Sequence, residues 1–303
     1  MREPKRVVVW GTGFVGKLVI AEIVPHPAFE LLGVGVSNPD KVGRDVGEIC
    51  GIDPIGIAAT EVVEELIELE PDALVHFGPT ANSAHDNIDL MSAFLRAGID
   101  VCSTAMTPWV WPAMAQNPPA WIDPITAACE AGGASCFTTG IDPGFANDLF
   151  PMTLMGLCGE VRKVRALELL DYINYEGDYE EEMGIGRTPD YKPLLEHTDI
   201  LVMAWGATVP MMAHAAGIEL DEITTTWEKW VTDAPITTAK GVIEPGEVAA
   251  IRFTDGSGRD AATAGCLATG MRALNAVPAV NDLPPGWVTS LDLPLIPGVG
   301  TIR

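Results

Sequence analysis

The stretch that most constrains this chain is Val7-Val8-Val9-Trp10-Gly11-Thr12-Gly13-Phe14-Val15-Gly16-Lys17. An apolar run enters Gly11-x-Gly13-x-x-Gly16 directly, and an apolar-periodic stretch from Phe14 to Val24 follows and stops at Pro25. This reads as a buried parallel strand, a tight glycine turn and a helix opening onto that turn. Gly11 allows the turn, Gly13 lets a pyrophosphate approach the backbone, and Gly16 lets the helix sit close to the strand. The unsatisfied N–H groups and the positive end of the helix dipole then suit phosphate, with Thr12, Phe14 and Val15 completing the loop. A bare glycine triad is weak in a chain with 31 glycines. Its place between strand and helix, with a second apolar strand from Phe29 to Val36 at the βαβ distance, makes it specific.

Strand and helix patterns go on alternating through residues 1–150. A short acidic helix spans Glu61 to Leu69, a buried strand Ala73 to Phe77, a helix 83–97 and a strand Asp100 to Ser103. Pro124 to Ala131 is helical and Ala134 to Thr138 is a strand. Repeated βα units predict an α/β fold: a Rossmann-type, doubly wound parallel sheet, with ligand at the carboxyl ends of its strands. The grammar then changes. Phe150 to Cys158 reads as a linking helix and Val161 to Tyr175 as a long strand. Further strands are expected near Glu222 to Val231, Thr237 to Ile243 and Val248 to Phe253. These predict a second, α+β domain over 151–258 built on a mainly antiparallel sheet. Asp260 to Ala276 returns to helical periodicity, so 259–303 is expected to be a C-terminal helix and tail returning to the first domain.

Lys and Arg number 18 against 42 Asp and Glu, a formal charge of −24. That field disfavours nucleic acid and anionic membrane surfaces as partners. Six scattered cysteines without a CxxC pair read as reduced, buried thiols in a cytoplasm, and predict neither a disulfide framework nor a metal site. The N-terminus shows no signal-peptide pattern. Ile200 to Ile218 is long and uncharged, yet it contains Gly206, Pro210, His214 and Gly217 and has acidic flanks. It is expected to be one helix kinked near Pro210, buried inside the protein or in a subunit interface, not a membrane span.

Cofactor choice is the sharpest local inference. An NAD enzyme usually places an acid about twenty residues past the glycines. Here the second strand ends in Val36-Ser37-Asn38, and Lys41 and Arg44 follow in one loop, although Asp40 and Asp45 dilute their charge. A hydroxyl, an amide and two cations suit a 2′-phosphate, so NADP is favoured, with NAD an alternative. Other strand ends face the same crevice: His76-Phe77-Gly78-Pro79-Thr80, then Ser103-Thr104-Ala105-Met106-Thr107-Pro108-Trp109, then Gly140-Ile141-Asp142-Pro143-Gly144-Phe145-Ala146-Asn147-Asp148. His76, Gly78, Pro79, Thr80, Thr104, Ala105, Asp142 and Pro143 are therefore candidate cofactor contacts. Met106, Trp109, Asn147 and Trp205 are candidate pocket lining. Tyr172 and Tyr175 are the candidate acid/base residues, with Glu168, Asp171, His197 and His214 as lesser choices. Cys102 and Cys136 lie near the crevice, but no basic neighbour in sequence would activate them.

Together, Val8 to Gly16, Val36 to Gly43, His76 to Thr80 and Gly140 to Phe145 resemble the dihydrodipicolinate-reductase-like oxidoreductases. The closer branch is that of 2,4-diaminopentanoate dehydrogenase and the native amine dehydrogenases. The resemblance implies a Rossmann domain, a substrate domain that is largely an open β-sheet, and a homodimer. It implies NAD(P)-dependent interconversion of a ketone plus ammonia with a primary amine. Gly11 to Gly16 would hold the pyrophosphate, Ser37-Asn38 the adenosine ribose, and the 76–80 and 140–144 loops would flank the nicotinamide. Two departures stand out. The glutamate that this branch carries after the strand ending at Ser103-Thr104 is replaced by Ala105-Met106-Thr107. The substrate domain is also short after Ile251. The catalytic stretch of dihydrodipicolinate reductase itself has no match.

The sequence thus predicts a cytoplasmic, homodimeric, NADP-preferring amine dehydrogenase acting on a small carbonyl or amine. An ammonia-independent ketone or aldehyde reductase is one alternative. A non-catalytic NADP-binding regulatory module is another.

Overall fold

A computed structural model describes residues 3–79, 83–166, 182–225, 227–248 and 261–296. Six strands form one all-parallel sheet: β1 (Lys5–Trp10), β2 (Phe29–Gly35), β3 (Ala73–His76), β4 (Asp100–Ser103), β5 (Ser135–Thr138) and β8 (Gly286–Val288). Their order is β2-β1-β3-β4-β5-β8. The chain leaves β1 to one side for β2 and crosses back to the other for β3. That reversal opens a crevice beside β1 at the carboxyl edge.

Helices cover both faces, which is why the strands read as apolar runs without polar alternation. Val7, Val9, Val75, Cys102 and Phe137 enter one core, whereas Val8, Leu74, Val101 and Cys136 enter the other. The first core is covered by α1 (Phe14–Ile23), α2 (Val46–Cys50) and α9 (Ala261–Val280). The second is covered by α3 (Val63–Ile67), α4 (Ala84–Arg96) and α5 (Pro119–Gly132). Helix α9 packs against this sheet. Ala273, Leu274, Ala276, Val277 and Val280 are fully buried in the first core, and a Cβ at Gly270 would collide with Val19, so α9 lies close on α1. Asn281 Nδ2 then donates to Asp72 O at 2.9 Å and Asp100 Oδ2 at 2.7 Å, fastening the end of α9 to the amino edge of the sheet.

After β5 the chain runs through α6 (Leu149–Met155), α7 (Thr198–Trp205) and α8 (Thr208–Ala216) to an antiparallel pair, β6 (Ile236–Thr238) and β7 (Gly241–Ile243). Lys229 holds this part together, pairing with Glu196 at 2.7 Å and donating to Pro189 O at 3.1 Å and Tyr191 O at 2.6 Å. No described helix is long and apolar enough to cross a membrane.

Several expectations need correction. Ile200 to Ile218 is not one helix kinked at Pro210. It is α7 and α8, broken at Gly206-Ala207. Pro210 sits in the first turn of α8, where a missing N–H is tolerated. Thr237 to Ile243 is not one strand but the β6–β7 hairpin. Its corner is Gly241 at φ +143°, with Thr238 Oγ1 donating to Gly241 O at 3.1 Å. Glu222 to Val231 pairs only through a bridge from Val231 to Val248 among the described residues. Residues 161–166 are exposed and unpaired in any strand, and the rest of the expected 161–175 strand lies outside the described residues, as do residues 249–253. The sixth parallel strand, β8, sits in what reads as a Pro/Gly-rich tail. Cys158 is exposed, unlike the buried Cys102, Cys129 and Cys136.

Candidate active site

One row of paired residues ends the sheet: Gly35, Trp10, His76, Ser103 and Thr138. The next residues form the rim, and each rim N–H is tied to the row. Gly11 N donates to Gly35 O, Phe77 N to Trp10 O, Thr104 N to His76 O and Thr139 N to Ser103 O, at 2.8–3.0 Å. The glycine loop and the three other strand-end loops are thereby brought to one level.

The glycine loop fits a dinucleotide on physical grounds. Gly11 has φ +108°, a conformation that excludes most side chains, and a Cβ there would strike Phe77 O. A Cβ on Gly16 would strike Gly11 O. Gly13 differs: it precedes α1 in extended backbone, and nothing lies within 4 Å of where its Cβ would stand. Two glycines are closed by the fold and the third is left open at the helix N-terminus, where an anion is favoured. Lys41 braces the loop, its Nζ donating to Thr12 O and Thr12 Oγ1 at 3.0 Å each. Burial, then the Lys17 charge, holds the Lys41 pKa below its ordinary value. Lys41 thus serves the glycine loop directly, which its place in the sequence did not disclose.

Ser37 and Asn38 are exposed at the end of β2, and Asn38 Oδ1 accepts from Asp40 N at 2.9 Å. Arg44 is exposed in the same loop. Asp45 turns away, its carboxylate accepting from Gly47 N, Ile55 N and Gly56 N.

His76 is fully buried, with Nδ1 2.9 Å from Ser103 Oγ, which also accepts from Ala105 N at 3.0 Å. Burial pushes its pKa down to about 4, so the ring is neutral at pH 7. The Asn87 amide approaches Nε2, opposing this shift slightly, but without the geometry of a hydrogen bond. Gly78 passes over both side chains, and a Cβ there would stand 2.9 Å from Asn87 Oδ1 and from His76 Nε2.

The third loop follows β5. Gly144 N donates to Asp148 Oδ2 at 2.6 Å, and Gly144 O accepts from Thr139 Oγ1 and Ser290 Oγ at 3.3 Å. Ile141 N donates to Thr269 Oγ1 of α9. The Asp142-Pro143 peptide is cis. Asp148 is fully buried and caps α6; burial raises its pKa. Asn147 and Trp205 are half-buried.

Met106 and Trp109 do not form the expected pocket wall. Both are fully buried in the second core, with Trp109 edge-on to Trp287 at 5.1 Å between centroids. An apolar pair beside Pro108 packs inward, under α7. Thr80, Glu168, Asp171, Tyr172 and Tyr175 lie outside the described residues. Asn87, Thr269 and Arg272 join the site without having been foreseen. For Arg272 a signal existed: it is the single charge in the twenty residues of α9.

A glycine cradle at the switch point of a parallel sheet defines a dinucleotide-binding fold of the Rossmann type. Comparison with known proteins agrees and narrows it. Residues 5–108 match the dihydrodipicolinate reductase N-terminal family, and residues 145–264 match the 2,4-diaminopentanoate dehydrogenase C-terminal domain. The chain is 38% identical over 250 residues to an amine dehydrogenase of Streptomyces virginiae, covering 81% of this chain and 69% of the relative. It is 26% identical over 259 residues to the 2,4-diaminopentanoate dehydrogenase of Acetoanaerobium sticklandii, covering 82% and 70%. A solved amine dehydrogenase from Mycobacterium smegmatis shares the fold, with TM-score 0.74 over 97% of both chains at 18% identity. The chain belongs to the family of amine dehydrogenases and 2,4-diaminopentanoate dehydrogenases.

Proposed function

We propose that this protein is an NADP-preferring amine dehydrogenase, interconverting a small ketone plus ammonia with a primary amine. The 38% identity to the Streptomyces virginiae amine dehydrogenase carries the reaction class. Gly11, Thr12, Gly13, Phe14, Val15 and Gly16 would hold the pyrophosphate. The absence of a carboxylate at Ser37-Asn38 and the exposed Arg44 favour a 2′-phosphate. Asp45 is committed to backbone N–H groups, which partly offset its negative charge. The bound dinucleotide supplies or accepts hydride; the chain supplies orientation and proton control. Gly78, Pro79, Thr80, Thr104, Ala105, Asp142 and Pro143 would line the nicotinamide side, above the neutral His76. Asn147 and Trp205 would line the substrate side. Tyr172 and Tyr175 would handle the proton. The 1–150 domain would bind cofactor, 151–258 would bind substrate, and two chains would form a homodimer, as the family resemblance implies.

One observation favours a second reading, an ammonia-independent carbonyl reductase. Ala105-Met106-Thr107 stands where the family glutamate is expected, and Ala105 is buried, with its N–H on Ser103 Oγ. The test is NADPH oxidation with a panel of small ketones and aldehydes, each with and without ammonia. Turnover that needs ammonia supports amine chemistry. Turnover indifferent to ammonia replaces it with carbonyl reduction.

A further inference from the structure

Thr12 stands between Gly11 and Gly13. Turning the Thr12–Gly13 peptide over changes only ψ of Thr12 and φ of Gly13, and a glycine accepts either sign of φ. The two orientations are opposite for an anion. In a trans peptide the carbonyl and the N–H point in opposite directions, so one orientation presents the Gly13 N–H and the other the Thr12 oxygen. The fold selects between them with one side chain. Thr12 is buried, and both its carbonyl and its hydroxyl oxygen accept from Lys41 Nζ, at 3.0 Å each. The Thr12 carbonyl is thereby kept on the Lys41 side, and the Gly13 N–H is turned away from it. Lys41 is itself held from behind. It closes one helical turn, Pro39–Lys41, whose cap Asn38 accepts from Asp40 N at 2.9 Å. Beyond it, Gly43 N donates to Ala59 O at 2.7 Å and Ala59 N to Arg44 O at 2.9 Å.

We propose that Lys41 is a positioning residue for the cofactor, latching the Thr12–Gly13 peptide so that it offers an N–H and not a carbonyl to the pyrophosphate. Its effect falls on the part common to NADP and NAD, and selection by the 2′-phosphate is left to Arg44. The inference rests on the proposed function, which places the pyrophosphate at Gly11 to Gly16. It departs from what the sequence alone suggests, in which Lys41 and Arg44 serve the 2′-phosphate together.

Two fragments divide the cofactor between these roles. ADP-ribose carries the pyrophosphate without a 2′-phosphate, and 2′-AMP carries the 2′-phosphate without a pyrophosphate. In calorimetry on the full chain, Lys41→Met is expected to weaken ADP-ribose about tenfold, the worth of a hydrogen bond to a charged group, and 2′-AMP by less than about twofold. The Kd values of NADPH and NADH are expected to rise by one common factor. Lys41→Arg, which keeps the donors, is expected to restore most of the ADP-ribose affinity. Thr12→Val removes only the hydroxyl half of the latch and is expected to show the same split to a smaller degree, which keeps the test open should Lys41→Met not fold. Melting temperatures establish which variants are folded. If 2′-AMP weakens while ADP-ribose holds, Lys41 is a 2′-phosphate ligand and the latch is overturned. Equal weakening of both probes, or of neither, in a folded variant overturns it as well. Attraction through space by the ammonium is separated by salt: the wild-type-to-variant ratio for ADP-ribose is expected to hold at about 0.5 M NaCl, where screening is complete within roughly 4 Å. A ratio that collapses there replaces the latch with bare charge. Whether the wild type binds ADP-ribose decides the proposed cofactor site, whereas the ratio decides Lys41 and is read equally well on NADPH or NADH.

Discussion

Gly13→Asp separates binding from folding more cleanly than any other change at the glycine loop. Gly13 has φ −74° and ψ −166°, backbone that any residue adopts, and its missing Cβ faces nothing within 4 Å. It is also the N-cap of α1, without a side-chain hydrogen bond. An aspartate there is a better cap than glycine by a few tenths of a kcal/mol, and its charge suits the helix dipole. Stability should therefore hold or rise slightly. The same carboxylate would stand about 4 Å from a pyrophosphate charge, where an effective dielectric of about 20 gives roughly 4 kcal/mol of repulsion. That is about three orders of magnitude in Kd. NADPH fluorescence titration reads the affinity and a thermal melt reads the fold. Affinity within threefold of wild type refutes the cradle, and a melting temperature several degrees lower refutes the claim that Gly13 faces open space. Gly16→Ala is the contrast, because its Cβ meets Gly11 O and the loop itself must move.

Two further outcomes follow from the same geometry. Arg44→Ala is expected to raise the Kd for NADPH about tenfold, the worth of a charge-assisted hydrogen bond, while NADH changes by less than about twofold; equal effects remove the basis for NADP preference. His76 has a folded pKa of about 4 against 6.5 unfolded, so the unfolded chain binds the proton first and stability is lost as pH falls from about 6.5 to 4. That window is worth about 3 kcal/mol at most, and urea melts of wild type and His76→Gln should show a flatter acid limb in the variant.

The parallel sheet was legible because its signals are local. Val7 to Gly16 carries a strand, a turn and a helix start within ten residues, and β4 is read to the residue because Gly98 stops α4 just before it. What escaped is decided by distant partners. Nothing within Gly286-Trp287-Val288 marks a strand; it becomes one because the edge of β5 is free to take Ser135, Cys136 and Phe137 as partners. Lys41 looks like a phosphate ligand until the fold brings Thr12, twenty-nine residues away, under its ammonium. Trp109 follows a strand end and two turn-forming residues, the usual setting of a pocket wall, yet α5 and Trp287 give it a place in the core. At Gly206 the helix breaks and at Pro210 it does not, because a proline in a first turn lacks only an N–H that has no partner there anyway.

The rim itself bears on where the proton for the proposed reaction comes from. His76 is neutral, fully buried beneath Gly78, and engaged with Ser103, so protonating it within the fold is strongly opposed. Ala105 cannot titrate, and its N–H closes onto the same serine hydroxyl. Gly11, Phe77, Thr104 and Thr139 offer backbone and hydroxyl groups but no group that changes charge near neutral pH. The sheet edge is therefore built to position ligands, with Asp142 the one carboxylate at that level between β5 and Gly144. Under the proposed function, with Ala105-Met106-Thr107 where the family glutamate is expected, the proton would have to come from Asp142 or from groups contributed by the chain beyond α6. The proposal of Tyr172 and Tyr175 is of that second kind, since neither belongs to the strand ends.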